Sequence, residues 1–288
     1  MEIASPHSDC VDLHIHSTAS DGSQSPSQII RRAKEIGLRA IAITDHDTVE
    51  GSAEALSHPQ SPSLEILSGI EISADVPSGT MHILGYYVRL DDSSLAQTLK
   101  TVQEARASRN VKIVKKLQGL GVDMEFGDVV KVSGGGQIGR PHIAQVLVNK
   151  GAAHSIDEAF YRFLKRWGPA YVPRYRLQPA EAIQMILQAG GIPVLAHPST
   201  LRTKSEQALE EILVDLKQAG LRGLEVYYPE YRPERTVQYK GLARRHGLVM
   251  TGGSDFHGTA NPMVHMGIGR GDLRIPYRVV EELKSIRV

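Results

Sequence analysis

A chain of 288 residues with 41% apolar and 23% charged residues has the make-up of an ordinary globular protein, built as one large domain or two smaller ones. A net charge of +1 leaves no broad basic field for long nucleic acid, although a local patch for a small anion stays open. The single cysteine, Cys10, excludes an intramolecular disulfide and a cysteine-based zinc site; with no apolar run of roughly 20 residues and no apolar leader, the expectation is a soluble, cytoplasmic chain with no membrane contact.

The first predicted strand ends in the densest chemistry of the sequence. Val11, Leu13 and Ile15 alternate with polar positions, and residues two apart on a strand share a face, so His14 and His16 point the same way. Asp21 follows just past the strand end. Ser25-Pro26 then reads as an N-cap with proline at N1, opening a helix that ends at Gly37. A second strand, 39–44, exits into Asp45-His46-Asp47, where either acid could simply cap the turn. A third, 64–73, carries Glu71, and a fourth, 80–88, carries His82. The pattern returns at 191–197 with His197, at 223–228, and at 248–255 with Asp255 and then His257. Helical stretches near 179–190, 205–219 and 233–246 alternate with these last strands.

Such alternation implies a parallel sheet buried on both faces, with polar residues gathered at the C-terminal strand ends. The reading is a closed or distorted β/α barrel; an open doubly wound sheet is the alternative, but it would not bring so many strand ends to one point. Between 93 and 170 the rhythm breaks. One long helix is expected over 95–120, shorter elements over 123–133 and 141–150, split by Gly134-Gly135-Gly136, and another helix over 155–164. This segment, 93–170, is read as a helical insertion covering the mouth of a barrel made by 1–92 and 171–288. It carries Arg106, Arg109, Arg140 and His142.

Taken singly, a histidine near a strand end is usually a hydrogen-bonded surface or core residue, and His7, His58, His154, His246 and His265 keep that reading. The joint pattern is different. His14, His16, Asp21, His46, Glu71, His82, His197, Asp255 and His257 are all imidazoles or carboxylates near strand ends, the ligands shared by zinc, manganese and iron. Nine are too many for one ion and suit a cluster of two or three, with a buried Glu71 able to bridge.

The segments DLHIHSTASDGSQSP, ITDHDTVEG, GIEIS, HILGY, AHPS and GSDFHG, in this order, resemble the motif series of the PHP (polymerase and histidinol phosphatase) family over about residues 11–92 and 170–270. The resemblance implies an α/β fold, a distorted (β/α)7 TIM-like barrel related to amidohydrolases, holding two or three divalent ions. It implies that His14, His16, Glu71 and Asp255 hold the first ion, Glu71, His82 and His197 the second, and Asp21, His46 and His257 the third. Many trinuclear members have a histidine near the place of Asp21. A carboxylate there is a harder ligand, which favours manganese or iron over zinc.

Clustered ions acidify a shared water and neutralise the oxygens under attack, which suits phosphate esters. The expected nucleophile is therefore a metal-bridging hydroxide, with His257 helping to protonate or orient the leaving oxygen. On the insertion, Arg106, Arg109 and Asn110 share a helix face, and Arg140-Pro141-His142 reads as a helix start where N–H groups and a guanidinium could meet an anion; a solvated helix face is the plain alternative. The segments GRPHIA and EARASRN resemble the PHP branch that removes the 3′-phosphate of nucleoside 3′,5′-bisphosphates and can trim short RNA from its 5′ end. That resemblance puts Ser108, Arg109, Asn110 and Arg140 in the specificity pocket and makes a small nucleotide, with short RNA ends, the expected substrate. No stable protein partner is implied. Tyr161, Trp167 and Tyr171 are read as core packing rather than base stacking. Histidinol phosphate is the rival substrate, but its amine needs an acidic partner and the insertion is mainly basic. A noncatalytic metal module, or amide or lactone hydrolysis, would leave the arginines without a task.

Overall fold

The computed structural model of the protein describes residues 9–59, 61–134 and 138–287, so His7, Gly135 and Gly136 lie outside the described residues. The chain divides into two compact units, Met1–Gln97 with Arg176–Val288, and Thr98–Tyr175. Its strands are β1 (Val11–Ile15), β2 (Ala40–Ile43), β3 (Glu65–Ala74), β4 (Met81–Tyr86), β5 (Ile192–Leu195), β6 (Gly223–Tyr227) and β7 (Val249–Gly252). Its helices are α1 (Pro26–Ile36), α2 (Glu50–Ser57), α3 (Ser93–Gly119), α4 (Phe126–Ser133), α5 (Arg140–Asn149), α6 (Ile156–Ala159), α7 (Pro179–Gln188), α8 (Glu206–Gln218), α9 (Pro233–His246) and α10 (Arg278–Ser285). No described helix is long and apolar enough to cross a membrane.

In the first unit the seven strands form one sheet in chain order, β1 to β7. Just beyond β7 the chain returns to β1: Asp255 N–H donates to the His14 carbonyl at 2.8 Å, and His16 N–H to the Phe256 carbonyl at 2.9 Å. These bonds nearly close the sheet into a barrel. The approach is so tight that a Cβ at Gly253 would lie 2.1 Å from the His14 Cβ, so only glycine fits.

The expectation of a uniformly parallel sheet is corrected at one strand. β4 runs antiparallel to both β3 and β5, while the remaining pairs are parallel. The cause is connection length. Only residues 75–80 join β3 to β4, and a parallel return needs a crossover of about a dozen residues or more. Gly79, at φ +73°, helps turn the chain back. The reversal matters for the site, because it puts His82, at the start of β4, opposite Ser73 near the end of β3.

β2 and β5 are buried at every position, which explains why they read as apolar runs rather than alternating ones, and β1 is as fully buried although Asp12 and His14 alternate with its apolar residues. α1 begins as expected: Ser25 accepts from Gln28 N–H, Pro26 stands in the first turn, and Gly37 ends the helix at φ 79°. α2 and α10 were not expected. α10 sets Val279, Val280 and Leu283 against Val11, Leu13 and Tyr86 in the barrel core.

The second unit is helical and has its own core, in which Ile113, Val114 and Leu117 of α3 meet Val129 of α4 and Ile143 and Leu147 of α5. After α6 the helix loosens into a π-helical turn, Phe160–Leu164.

Candidate metal centre

All nine candidate ligands gather at one end of the first unit. His14 lies on β1 and His16 directly after it, with ring centroids 5.3 Å apart, so the two rings face the same way. Asp21 and His46 come from the segments after β1 and β2, Glu71 from β3, and His82 from β4. His197 follows β5, and Asp255 and His257 follow β7. His58 and His246 lie outside, bonded to Ser27 and Glu210 at 2.8 Å each.

Glu71 is the hub, and its two oxygens face different neighbours. Oε2 lies 3.4 Å from His14 Nε2, 3.2 Å from His16 Nε2 and 2.9 Å from His46 Nδ1. Oε1 lies 2.8 Å from His82 Nδ1 and 3.0 Å from His197 Nε2. Asp255 Oδ1 lies 3.5 Å from His14 Nε2 and 3.1 Å from His16 Nε2. Asp21 Oδ1 is 3.3 Å from His257 Nε2, and its Oδ2 is 3.9 Å from His46 Nε2. This last group is the outermost, since Asp21 is 43% exposed.

The ligand atoms fall into four overlapping groups that could each hold an ion: His16, Asp21, His46 and His257; His14, His197 and Asp255; His14, His16 and Glu71; and His46, Glu71 and His82. The donors fit divalent cations on a further ground. Nε2 of His14 and of His16, Nδ1 of His46 and Oε2 of Glu71 are buried without a hydrogen-bond partner. One such atom costs about 1–3 kcal/mol, and four aimed at each other form a donor set for a cation.

Within the cluster, charge contends with burial. Burial pushes the Glu71 carboxyl up, but His46, His82 and His14 outweigh it and hold it well below the usual range. The same contest, with His14, His16 and His257 prevailing, keeps Asp255 ionised. Burial works against charge on His16, yet Asp255 and Glu71 push it up to about 10. At His82 burial wins, and its imidazole drops to about 4.

Outer contacts choose which ring nitrogen faces inward. His14 Nδ1 lies 3.0 Å from Glu225 Oε1, leaving Nε2 for the cluster. The other Glu225 oxygen accepts from His197 N–H at 2.7 Å. His197 Nδ1 lies 3.1 Å from Thr200 Oγ1, whose own hydrogen goes to the Thr80 carbonyl, so the ring donates there and turns Nε2 inward. Tyr228 donates to Asp255 Oδ2 at 2.8 Å. Asp12 accepts from Ser254 N–H and hydroxyl and from Gly267 N–H, tying β1 to the segment that bears Asp255. Asp45 accepts from Ser17 and Ser20, which shapes the loop before Asp21. Backbone strain collects here too: Asp47, His197 and Asp255 are non-glycine residues at φ 53°, 21° and 54°.

Sequence reasoning passed over Glu225, Tyr228 and Asp12, and gave Asp45 only a turn-capping role. For Glu225 and Asp12 a signal existed, because each is the one carboxylate of a short buried strand.

The four substrate candidates belong to the second unit. Ser108 is exposed. Arg109 is buried and its Nε donates to the Val172 carbonyl at 2.9 Å. Asn110 donates to the Ile138 carbonyl at 2.8 Å, while its Oδ1 is buried without a hydrogen-bond partner. Arg140 donates to the Leu164 carbonyl at 3.0 Å. Burial, and then the neighbouring Arg174 guanidinium, hold Arg140 below the ordinary arginine range. The expectation that Tyr161 and Trp167 pack in a core is corrected, since both are exposed.

The model of the PHP domain matches residues 12–124. A 3′,5′-nucleoside bisphosphate phosphatase from Chromobacterium violaceum is 32% identical, with 86% of this chain and 87% of that protein aligned. The 5′-3′ exoribonuclease Rnm of Escherichia coli is 31% identical over 89% of this chain and 87% of its own length. A phosphoribosyl 1,2-cyclic phosphate 1,2-diphosphodiesterase from Eggerthella lenta is 29% identical over 89% and 97%. Among solved structures, one from Bifidobacterium adolescentis assigned as a metal-dependent phosphoesterase superposes with a TM-score of 0.80 at 30% identity, covering 96% of each chain. An amidohydrolase from Chromobacterium violaceum with bound sulfate gives the same values.

Proposed function

The chain belongs to the PHP domain family, and from that premise we propose that it is a divalent-metal-dependent phosphatase that removes the 3′-phosphate of nucleoside 3′,5′-bisphosphates and trims short 5′-phosphorylated oligonucleotides. The observation that carries the reading is Glu71, with one oxygen turned to His82 and His197 and the other to His14, His16 and His46. In this reading His14, His16, Glu71 and Asp255 hold one ion, Glu71, His82 and His197 a second, and Asp21, His46 and His257 a third. Manganese is the first choice, with iron or zinc as alternatives, because carboxylates contribute to all three sets. When bound, the ions supply a water acidified toward neutrality and neutralise charge on the phosphoryl oxygens.

The chain's own residues prepare that chemistry. Glu225 and Thr200 fix the imidazoles of His14 and His197 with Nε2 facing in, and Tyr228 steadies Asp255. No side-chain nucleophile is required, and Cys10 lies in a core cluster with Ile29 and Leu38. His257 donates from Nδ1 to the Asp255 carbonyl at 2.9 Å, which frees Nε2 for ligation or for the leaving oxygen. Burial and the neighbouring Arg174 guanidinium both depress Arg140, so an anion beside it would relieve that cost, which supports Arg140 as a ligand of the second phosphate; Ser108, Arg109 and Asn110 complete the pocket in this reading.

The test is phosphate release by the manganese-loaded protein from adenosine 3′,5′-bisphosphate, AMP, histidinol phosphate and phosphoribosyl 1,2-cyclic phosphate. A marked preference for the bisphosphate is expected. Preference for histidinol phosphate or the cyclic ester would keep the metal centre and overturn the substrate assignment.

A further inference from the structure

Residues 160–175 hold six aromatic residues and four cations, with no carboxylate among them. The segment lies wholly within the second unit. Phe160 and Phe163 pack against that unit's core, but Tyr161 is 71% exposed and Trp167, the only tryptophan of the chain, is 81% exposed. Each exposed ring is paired with a cation: Lys165 Nζ lies 3.8 Å from the Tyr161 ring centre, and Arg166 Cζ 5.4 Å from that of Trp167. Tyr171 adds a further ring, 5.9 Å from Trp167.

The backbone makes this exposure hard to explain as packing. Gly168 N–H donates to the Lys165 carbonyl at 2.8 Å, closing a turn in which Trp167 is the third residue at φ 66°. That turn position ordinarily takes glycine or asparagine. A bulky indole there is strained and wet, and it gains no burial in return. What it gains is a flat π-face held at the tip of a turn beside two cations.

We propose that this face is a stacking platform for a single-stranded oligonucleotide, with bases lying on Trp167 and Tyr161 and backbone phosphates meeting Lys165 and Arg166. Charge complementarity selects the occupant: flat rings interleaved with cations suit bases joined by phosphates, and stacking tolerates any base. The proposal rests on the phosphoesterase reading only in treating a bound strand as a substrate.

Because Trp167 is the sole tryptophan, its fluorescence reports this surface alone. Titrating the metal-free protein with an adenylate RNA pentamer should quench it, whereas AMP at equal concentration should not. With about two phosphates neutralised, log affinity should fall against log salt with a slope of about −1.4. By anisotropy of a labelled pentamer, Trp167→Ala and Tyr161→Ala should each weaken binding roughly tenfold or more, while Trp167→Phe should bind nearly as wild type. Far-UV circular dichroism of each variant separates lost binding from lost folding. Absence of quenching by the pentamer, or binding indifferent to Trp167→Ala, overturns the platform. So does a tryptophan signal that follows protein concentration together with dimer in sedimentation, which would assign the face to a second copy of the chain. Bisphosphate turnover by the same wild-type protein after reloading with manganese keeps the two readings apart: turnover without strand binding sinks the platform alone, and strand binding without turnover sinks the phosphatase reading alone.

Discussion

Replacing Glu225 by glutamine tests how far the metal centre depends on a residue that touches no ion in our assignment. Glu225 is fully buried, and both of its oxygens accept: one from His14 Nδ1 at 3.0 Å, the other from His197 N–H at 2.7 Å. Glutamine has the same shape but offers one acceptor and one amide donor. Whichever way the amide turns, its NH2 faces a donor, so either the His14 ring loses its anchor or the His197 backbone loses its acceptor. An unsatisfied buried donor costs about 1–3 kcal/mol, and partners of ligating imidazoles typically carry about 10–100-fold of metal affinity. We therefore expect Glu225→Gln to fold and to bind Mn2+ about 10–100-fold more weakly, or about 1.4–2.8 kcal/mol, as read by isothermal titration of the metal-free protein. Turnover should recover at high manganese. A variant whose affinity stays within twofold of wild type would refute the reasoning, since Glu225 would then be only a filler of the barrel core.

Three further perturbations have clear directions. Glu71→Gln should remove bound metal and activity together, measured by elemental analysis and phosphate release; unchanged metal content would end its role as a shared ligand. Arg140→Ala should raise KM for the bisphosphate much more than for p-nitrophenyl phosphate, and an equal effect on both would take it out of the second-phosphate pocket. The third concerns pH. In the metal-free fold His16 holds its proton up to about 10, against about 6.5 when unfolded, so its stabilising contribution is complete below 6.5 and lost as pH rises toward 10. The Tm of metal-free protein should fall across that window, and fall less with ions bound, because ligation already strips the imidazoles. A metal-free Tm that stays flat would contradict it.

The barrel and the convergence of the candidate ligands were legible for one reason: each candidate lies near the end of a strand, and strand ends converge. His14 and His16 were readable from spacing alone. The direction of β4 was not, because periodicity says nothing about it; the six residues between β3 and β4 did, through the length a crossover requires. Glu225 and Asp12 hid because the eye follows histidines, although a carboxylate in a buried strand is the rarer event. Trp167 was misjudged because an aromatic residue among apolar neighbours resembles core, and only the φ of 66° and the turn closed on Gly168 turn its ring outward.

The central claim is that this metal centre takes the 3′-phosphate from a nucleoside 3′,5′-bisphosphate. Its most direct test is to incubate manganese-loaded protein with adenosine 3′,5′-bisphosphate and identify the products by chromatography. The account predicts inorganic phosphate and 5′-AMP in equal amounts. Formation of 3′-AMP, or no turnover by protein shown to carry its metal, would contradict it.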